Sequence, residues 1–456
     1  MKRNNAVDKL KYSRFNYKTE DKAGNIVLYN SLYKTIRRYE KKYGEDIEAL
    51  RLNPNVETNS KLLQDMESCG FFVKSDVDEI TISEFAYLNE VSKRNLNLTI
   101  VPTMQCNFDC AYCYQEHGGG FMSEQIQNAI VRHVRKNIAK YTSVSLSWFG
   151  GEPLLRKDIV VKLSNEIREI CKKHYKTFNA MITTNGYNLD LETFKVLLDC
   201  GVRYFQITLD GTKEIHDKQR ALKNGSGTFD QILQNLLDIK KIRKNIQFKI
   251  HLRTNVAKEM IPKLGEHVRF LHDNFGYDER FTFFFRQVFD WGGERVNSMR
   301  NSMILNQKNE LDSMYRALYD TNIPLNYYTY FTDLFNNPIC YAGMLYSYII
   351  NWDGRIEKCT CESTTETNQF NHIGYLTPEG KFNIDINKEA KWIIRNNSKD
   401  CQECFMRANC FGAFCPKNAL IGSDNCCPIS KTDIDWYLKL IALGDKFITT
   451  FSEREG

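Results

Sequence analysis

Three cysteines on eight residues, "CNFDCAYC" from Cys106 to Cys113, are the first chemistry visible in this chain. They stand at spacing Cys-x3-Cys-x2-Cys, directly after the apolar run "LNLTIVP". Metal ligation explains such clustering better than packing does, because thiolates are soft-metal ligands. Two readings compete. A structural zinc takes four protein ligands, and His117, four residues on, could complete that set. A [4Fe–4S] cluster held by three thiolates leaves its fourth iron open for a non-protein ligand. One short loop can wrap three corners of such a cube. A second group of nine cysteines runs from Cys340 to Cys427. The remaining three, Cys69, Cys171 and Cys200, stand alone in apolar or helical contexts and read as small buried side chains.

The elements that must position these thiols belong to a chain of 456 residues, too long for one ordinary core. The net charge of +6, from 62 basic and 56 acidic residues, is too mild to mark a nucleic-acid partner. The run "KKIRKN" (Lys240 to Asn245) reads as the solvated end of a helix. No stretch approaches the roughly 20 apolar residues of a membrane span. The start "MKRNNAVDKL" has no apolar segment behind its charges. The expectation is a cytoplasmic protein without a membrane or nucleic-acid partner. In a reducing compartment an odd total of fifteen cysteines disfavours structural disulfides.

Three parts follow from the pattern, with boundaries at 1–95, 96–324 and 325–456. The first reads as a small winged-helix-like module: a hairpin around Ala23-Gly24, helices near "SLYKTIRRYEKK" and "NSKLLQDMESCGFFV", and "GFFV" returning as a strand. The second alternates strand and helix. Its strand candidates are Leu96 to Pro102, Ser143 to Phe149, Phe178 to Thr184, Arg203 to Leu209, Phe248 to Thr254 and Phe281 to Gln287. Between the first two, Ile126, Ile130, Val134 and Ile138 line one helical face, with Ser123 as its N-cap. Six strands with intervening helices predict an α/β fold with a parallel array, whose chemistry sits at the carboxyl ends of the strands. "CNFDCAYC", "GGEP", "TNG" and "LDG" all follow strand candidates directly. The third part is loop-rich until a final helix, "DIDWYLKLIALGDKFI", and needs metal staples.

With an aromatic before its last cysteine and a place after the first strand, the Cys-x3-Cys-x2-Cys loop resembles that of the radical S-adenosylmethionine (SAM) enzymes. "WFGGEPLL" (Trp148 to Leu155) is similar to the motif that binds the methionine end of SAM in that family. The glycines would let backbone approach a ligand, and Glu152 or nearby carbonyls would receive the ammonium group. The plain alternative is a strand-to-helix turn with Pro153 at the helix start. "TTNGYNL" (Thr183 to Leu189) and "ITLDGTKEIHDKQR" (Ile207 to Arg220) extend the resemblance. It implies a partial (β/α)6 TIM-type barrel with a [4Fe–4S] cluster on Cys106, Cys110 and Cys113. It further implies SAM contacts from Tyr112, Gly150, Gly151, Glu152, Pro153, Thr184, Asn185, Thr208, Arg220 and Asn255. Thr208 and Arg220 would meet the ribose and carboxylate, the latter a match for a guanidinium fork. His216 would be structural. No catalytic side chain is assigned beyond this cluster and SAM site.

The second cysteine group resembles the SPASM extension of such enzymes, which carries two auxiliary [4Fe–4S] clusters. Carried over, Cys401, Cys404, Cys410 and Cys427 would hold the second, and Cys340, Cys359 and Cys415 the first. Two departures stand out. Cys410 and Cys415 are separated by four residues instead of three, and the doublet Cys426-Cys427 leaves the last ligand ambiguous, with Cys427 favoured. The family's further cysteine, six residues after the first, is Tyr346 here. Cys361 is the candidate replacement, and an open iron that binds a substrate thiolate is the alternative.

The resemblance implies three [4Fe–4S] clusters, SAM, and an external electron donor of flavodoxin or ferredoxin type. The leading expectation is an oxidoreductase that matures a ribosomally made precursor peptide, crosslinking it oxidatively, with a thioether first among the bonds. Residues 1–95 would then recognise the leader as an added strand near "NIVLYN", or serve as a packing extension. The runner-up is an anaerobic sulfatase-maturing enzyme, which forms formylglycine. That family carries Asp where Thr360 follows Cys359. An epimerase or carbon–carbon crosslinker stands behind these, and a zinc-stapled peptide-binding protein is the non-enzyme alternative. Metal analysis separates the classes: purified anaerobically, a cluster protein is brown and rich in iron, whereas a zinc protein is colourless.

Overall fold

The computed structural model describes residues 9–54, 60–288, 299, 308–327, 334–335, 339–362, 370–393, 395, 398–412, 415–421, 427 and 429–452. The chain begins with β1 (Leu10–Tyr12) and the hairpin of β2 (Asn16–Glu20) and β3 (Ile26–Asn30). Gly24 takes φ 78° in its turn. The Asp21 carboxylate holds that turn by accepting from the Ala23 and Asn25 N–H groups, each at 2.9 Å.

The segment "SLYKTIRRYEKK" is not the expected helix. Its first residues turn, with Lys34 at φ 55°, and Thr35–Tyr39 form β4, antiparallel to β3. Leu32, Ile36 and Tyr39 mimic a helical spacing. Pairing with β3 overrides it, and Thr, Ile and Tyr suit a strand. Then come α1 (Gly44–Leu52), α2 (Ser60–Ser68), β5 (Phe72–Lys74, antiparallel to β1) and α3 (Glu79–Val91). "NIVLYN" offers no sheet edge: β3 lies between β2 and β4, and all five of its residues are buried.

The barrel strands are β6 (Asn95–Ile100), β7 (Ser143–Trp148), β8 (Thr177–Thr184), β9 (Val202–Thr208), β10 (Lys249–Val256) and β11 (Phe281–Gln287). They are parallel and neighbour one another in chain order. Helices α4 (Glu124–Asn137), α5 (Lys157–Lys173), α6 (Leu191–Asp199), α7 (Lys213–Gln219), α8 (Phe229–Lys240) and α9 (Leu264–Leu271) connect them. This is the expected six-stranded α/β array. On α4, Ile130 and Val134 are buried, as is Ile138 in the turn that follows it, and the Ser123 hydroxyl caps the helix by accepting from the Ile126 N–H at 3.3 Å. In β6 and β7 burial alternates with the two-residue strand period: Leu96, Leu98, Ile100, Val144, Leu146 and Trp148 fill the core.

The cysteine-rich part grows out of the same sheet. β12 (Ser347–Ile350) pairs in parallel with β6, and β13 (Arg355–Glu357), β14 (His372–Leu376) and β15 (Phe382–Ile384) extend it antiparallel. Cys359 emerges from the end of β13. The buried Lys358 fixes that exit by donating to the Met344 and Ser347 carbonyls, at 2.8 and 2.9 Å. The final helix, Ile434–Ile441, is shorter than the sequence suggested. Last comes β16 (Thr449–Phe451), parallel to β4 at the rim of the N-terminal sheet. Among the described residues no helix is long and apolar enough to cross a membrane.

The N-terminal part also clasps the cysteine-rich part. On α3, Glu84 accepts from Arg395 at 2.9 and 3.1 Å and from Arg407 at 2.7 Å. The Arg395 guanidinium lies 3.7 Å over the Tyr87 ring. Phe451 packs its ring 5.2 Å from Tyr43 and 5.7 Å from Tyr39. Phe451→Ala is expected to destabilise the N-terminal sheet by about 3 kcal/mol, seen as a lowered thermal midpoint in scanning calorimetry.

Candidate functional site

The loop after β6 carries Cys106, Cys110 and Cys113 into a cavity at the carboxyl mouth of the barrel. Backbone bonds hold it there: Asp109 N–H donates to the Ala221 carbonyl and Ala111 N–H to the Gln219 carbonyl, both at 2.9 Å. Phe108 N–H points at the Cys106 sulfur from 3.4 Å. Burial pushes the Cys106 thiol up to about 11 and the Cys110 thiol up to about 12. A metal centre bound here would displace the thiol protons. Among the described residues no three His, Cys, Asp or Glu side chains converge on a single-ion position. The thiols line one cavity instead, and His117 lines it too with Nδ1 3.2 Å from the Met104 carbonyl. Three thiols on one cavity wall can serve as three corners of a [4Fe–4S] cube.

The same cavity is lined by Tyr112, Gly150, Gly151, Thr184, Asn185, Thr208, Arg220 and Asn255. Glu152 and Pro153 are not in its lining. Pro153 starts a short helical turn. Glu152 is fully buried and its carboxylate is engaged inside the protein: Oε1 accepts from Leu154 N–H at 2.9 Å and from the Thr184 hydroxyl at 2.7 Å, and Oε2 accepts from Asn185 N–H at 2.7 Å. It therefore clamps the loop after β8 rather than facing a ligand, and any ammonium group falls to nearby carbonyls. The two glycines have a reason beyond ligand approach. Gly150 sits at φ 122°, and a Cβ on Gly151 would stand 2.2 Å from the Gln105 carbonyl oxygen and 2.4 Å from that of Met104. They let the loop after β7 press against the backbone that leads into Cys106, sealed by Glu152 N–H donating to Gln105 O at 2.8 Å.

Asp210, in the "LDG" turn after β9, joins the rest. Its Oδ1 accepts from Asn255 N–H at 2.7 Å, and the Tyr112 hydroxyl donates to its Oδ2. That hydroxyl in turn accepts from Arg220 Nη1 at 2.8 Å and Asn255 Nδ2 at 3.0 Å. Burial raises the Asp210 carboxyl, and Arg220 opposes it. Asp210 N–H donates to His216 Nδ1 at 3.1 Å, and His216 Nε2 faces the Thr228 hydroxyl at 3.1 Å. Burial drives His216 well below its usual range, so it acts as a neutral strut. Asn185 Nδ2 reaches Asn107 Oδ1, beside Cys106, at 2.8 Å.

The resemblance also implies a ribose-contacting segment at "RTN" (Arg253 to Asn255), and Arg253 lines the cavity, whereas Asp210, Gln206, Gln115 and Gln287 are not marked as site residues by the sequence; the last three line the cavity too. The strand period held a signal for two of them. Gln206 and Arg253 lie two residues before Thr208 and Asn255, on the same faces of β9 and β10.

The later cysteines gather into two sets. Cys340 feels the charges of Cys361 and Cys415, and Cys359 those of Cys361 and Cys340. Cys410 feels those of Cys404, Cys401 and Cys427. Burial raises Cys340 and Cys410 to about 11. A hydrogen bond between Cys359 and Cys361 raises the former and lowers the latter to about 7. Cys361 thus stands with the first set. Tyr346, at the position of the family's further cysteine, packs on Tyr141 with ring centroids 5.6 Å apart. Cys426 lies outside the described residues.

Gly151→Ala tests the close contact. The added methyl must displace the Met104–Gln105 backbone, at a cost of about 1–3 kcal/mol. The expected outcome is a lower iron content per chain after anaerobic reconstitution, with weakened SAM binding in equilibrium dialysis.

Residues 100–268 match the radical SAM superfamily. The chain is 24% identical over 339 residues to a cysteine-type anaerobic sulfatase-maturating enzyme of Clostridium novyi, covering 68% of this chain and 85% of that one. It is 30% identical over 151 residues to an Fe-coproporphyrin III synthase of Methanosarcina barkeri, where it spans 35% of that protein. Among solved structures, anSMEcpe with bound AdoMet and the Kp18Cys peptide superposes with a TM-score of 0.55 at 16% identity, covering 76% of this chain and 96% of that one. The six-stranded barrel, the cysteine loop at its mouth and the match to the radical SAM superfamily over residues 100–268 fall on the same part of the chain, which is similar to that superfamily there.

Proposed function

We propose that the chain is a radical SAM maturase that oxidatively modifies a ribosomally made precursor peptide, with a thioether crosslink as the first candidate product. Cys106, Cys110 and Cys113 would hold the cluster at the cavity, and Thr184, Asn185, Thr208, Arg220 and Asn255 the SAM molecule. Bound there, the pair would supply the radical chemistry needed to remove hydrogen from an unactivated C–H bond. The chain's own part is to hold the substrate carbon at the cavity, keep water and other donors away, and accept the second electron. Cys340, Cys359, Cys361 and Cys415 would carry one auxiliary cluster, and Cys401, Cys404, Cys410 and Cys427 the other. The electron donor is external, of flavodoxin or ferredoxin type.

The observation that carries this reading is the neighbourhood of Tyr114. It lines the cavity and lies within electrostatic reach of Cys361, Cys113 and Cys359. An oxidised substrate at the mouth would thus lie close to both the radical source and an electron acceptor. Four cysteines near the first auxiliary position favour a fully ligated cluster over an open iron, which favours electron acceptance over substrate-thiolate binding. Two surfaces support docking of a leader. β2 is the terminal strand of the N-terminal sheet. On α3, Ile82, Phe85 and Leu88 point outward, with Phe85 72% exposed.

A sulfatase-maturating activity is the second reading, favoured by the long match to the clostridial relative. Thr360 weighs against it: where a proton-accepting Asp is expected, its N–H and hydroxyl are paired with the Tyr341 hydroxyl at 2.8 and 2.7 Å.

Anaerobic co-expression with the peptide encoded beside the gene, followed by mass spectrometry, tests the proposal. The expected product has lost two hydrogens, with one cysteine resistant to alkylation. The same loss with every cysteine alkylated indicates a carbon–carbon link. Deuterium uptake from heavy water without net mass change indicates epimerisation. An unmodified peptide under all conditions sinks the maturase reading for that substrate and makes a sulfatase peptide the next probe.

A further inference from the structure

The cavity at the barrel mouth is lined by two guanidinium groups, Arg220 and Arg253, and by no carboxylate among the described residues. Their settings differ. Arg220 donates to Tyr112 and lies 5.6 Å over the Phe108 ring, on the side of the cluster loop. Arg253 comes from β10, level with Thr208 on β9 and Phe284 on β11. Its Nε donates to Asn255 Oδ1 at 2.8 Å, and its guanidinium lies 5.7 Å from the centre of the Phe284 ring. Among the described residues it has no ion-pair partner. Asp210, the acid within electrostatic reach, is already bonded to Asn255 N–H and the Tyr112 hydroxyl. Arg286 adds positive charge nearby. A cation withdrawn from water without a counter-ion is costly, and the two terminal nitrogens of Arg253 remain for a ligand.

Two neutral groups in the same lining also lack partners among the described residues. Gln287 Oε1 and Gln115 Nε2 are buried and unbonded, on residues only 3% and 8% exposed. One is an acceptor and the other a donor, the complement of a peptide unit. SAM offers Arg253 no second carboxylate. It brings one carboxylate, already opposed by its own ammonium and sulfonium, and Arg220 is the expected partner of that carboxylate. Arg253 is also within electrostatic reach of Cys361.

We propose that Arg253 anchors a carboxylate of the peptide substrate close to the residue attacked, with Gln287 and Gln115 pairing the neighbouring backbone N–H and C=O. The inference rests on the peptide-maturase reading. The guanidinium fork matches a carboxylate through two parallel hydrogen bonds. That carboxylate belongs either to an Asp or Glu side chain or to the peptide's C-terminus.

The test uses reconstituted full-length holoenzyme with SAM and a chemical reductant. The probe is the precursor peptide encoded beside the gene, synthesised with its leader. Versions carry each Asp→Asn or Glu→Gln change singly, and one has an amidated C-terminus. Modification is followed by mass spectrometry, with SAM affinity from equilibrium dialysis and iron content as separate readouts. One neutralised carboxylate is expected to lower kcat/KM for the peptide about tenfold. A side-chain version marks an acidic residue, and the amidated version marks the C-terminus. Arg253→Gln should lower it similarly, Arg253→Lys less, and the paired change should add nothing further, with SAM affinity and iron content kept. Uniform modification of all versions overturns the inference and leaves the maturase reading standing. So does additivity between the paired changes. Loss of SAM affinity in Arg253→Gln assigns the residue to SAM and equally overturns it. If no version is modified by the wild-type enzyme, the maturase reading itself fails for this peptide and the inference falls with it.

Discussion

A single buried carboxylate, Asp210, is the point on which the barrel mouth depends. It receives the Tyr112 hydroxyl from the cysteine loop and the Asn255 backbone from β10, and Tyr112 relays it to Arg220. A charge out of water is tolerated only when its lone pairs are satisfied. Each partner is therefore held in place by the others. Three separate stretches of chain meet at one point, and the cysteines cannot shift without breaking that set. His216 closes the arrangement from below, neutral and hydrogen-bonded at both ring nitrogens.

Glu152 performs the matching task on the other flank. Its three internal bonds join the glycine turn after β7 to the "TNG" turn after β8. The glycines bring that joined unit against the backbone before Cys106, where no side chain fits. A motif associated with ligand binding thus serves first as loop-to-loop packing. This division explains why eight of the expected SAM contacts line the cavity while Glu152 and Pro153 do not. Preorganised backbone and fixed polar side chains are what a site needs before any cofactor enters.

The cysteine-rich part is not a separate bead. β12 continues the barrel sheet beside β6, which carries the cluster loop at its end. This continuity puts Cys359 and Cys361 within electrostatic reach of the barrel mouth, as their interactions with Tyr114 show. The N-terminal part clasps the far side through Glu84, Arg395 and Arg407, and the last strand of the chain closes its sheet. First and last segments therefore stabilise each other.

Most of the barrel is legible in the sequence. Strands with buried faces and capped amphipathic helices carry their period in the residues themselves, and the six strand candidates agree with β6 to β11 to within two residues at each end. Segment 31–42 was misread because a short stretch with apolar residues three and four apart fits both periods, and only pairing with β3 selects the strand. The sequence by itself determined the thiol sets, the glycine turns and the order of the barrel strands, because these follow from residue type and local spacing. Only the tertiary structure decided that Glu152 faces inward, that Asp210 is the hub, that Cys361 joins Cys340, Cys359 and Cys415, and that Arg253 meets the cavity without an acidic partner among the described residues. Each of those outcomes depends on which distant groups are brought into contact, and long-range contact leaves no period along the chain.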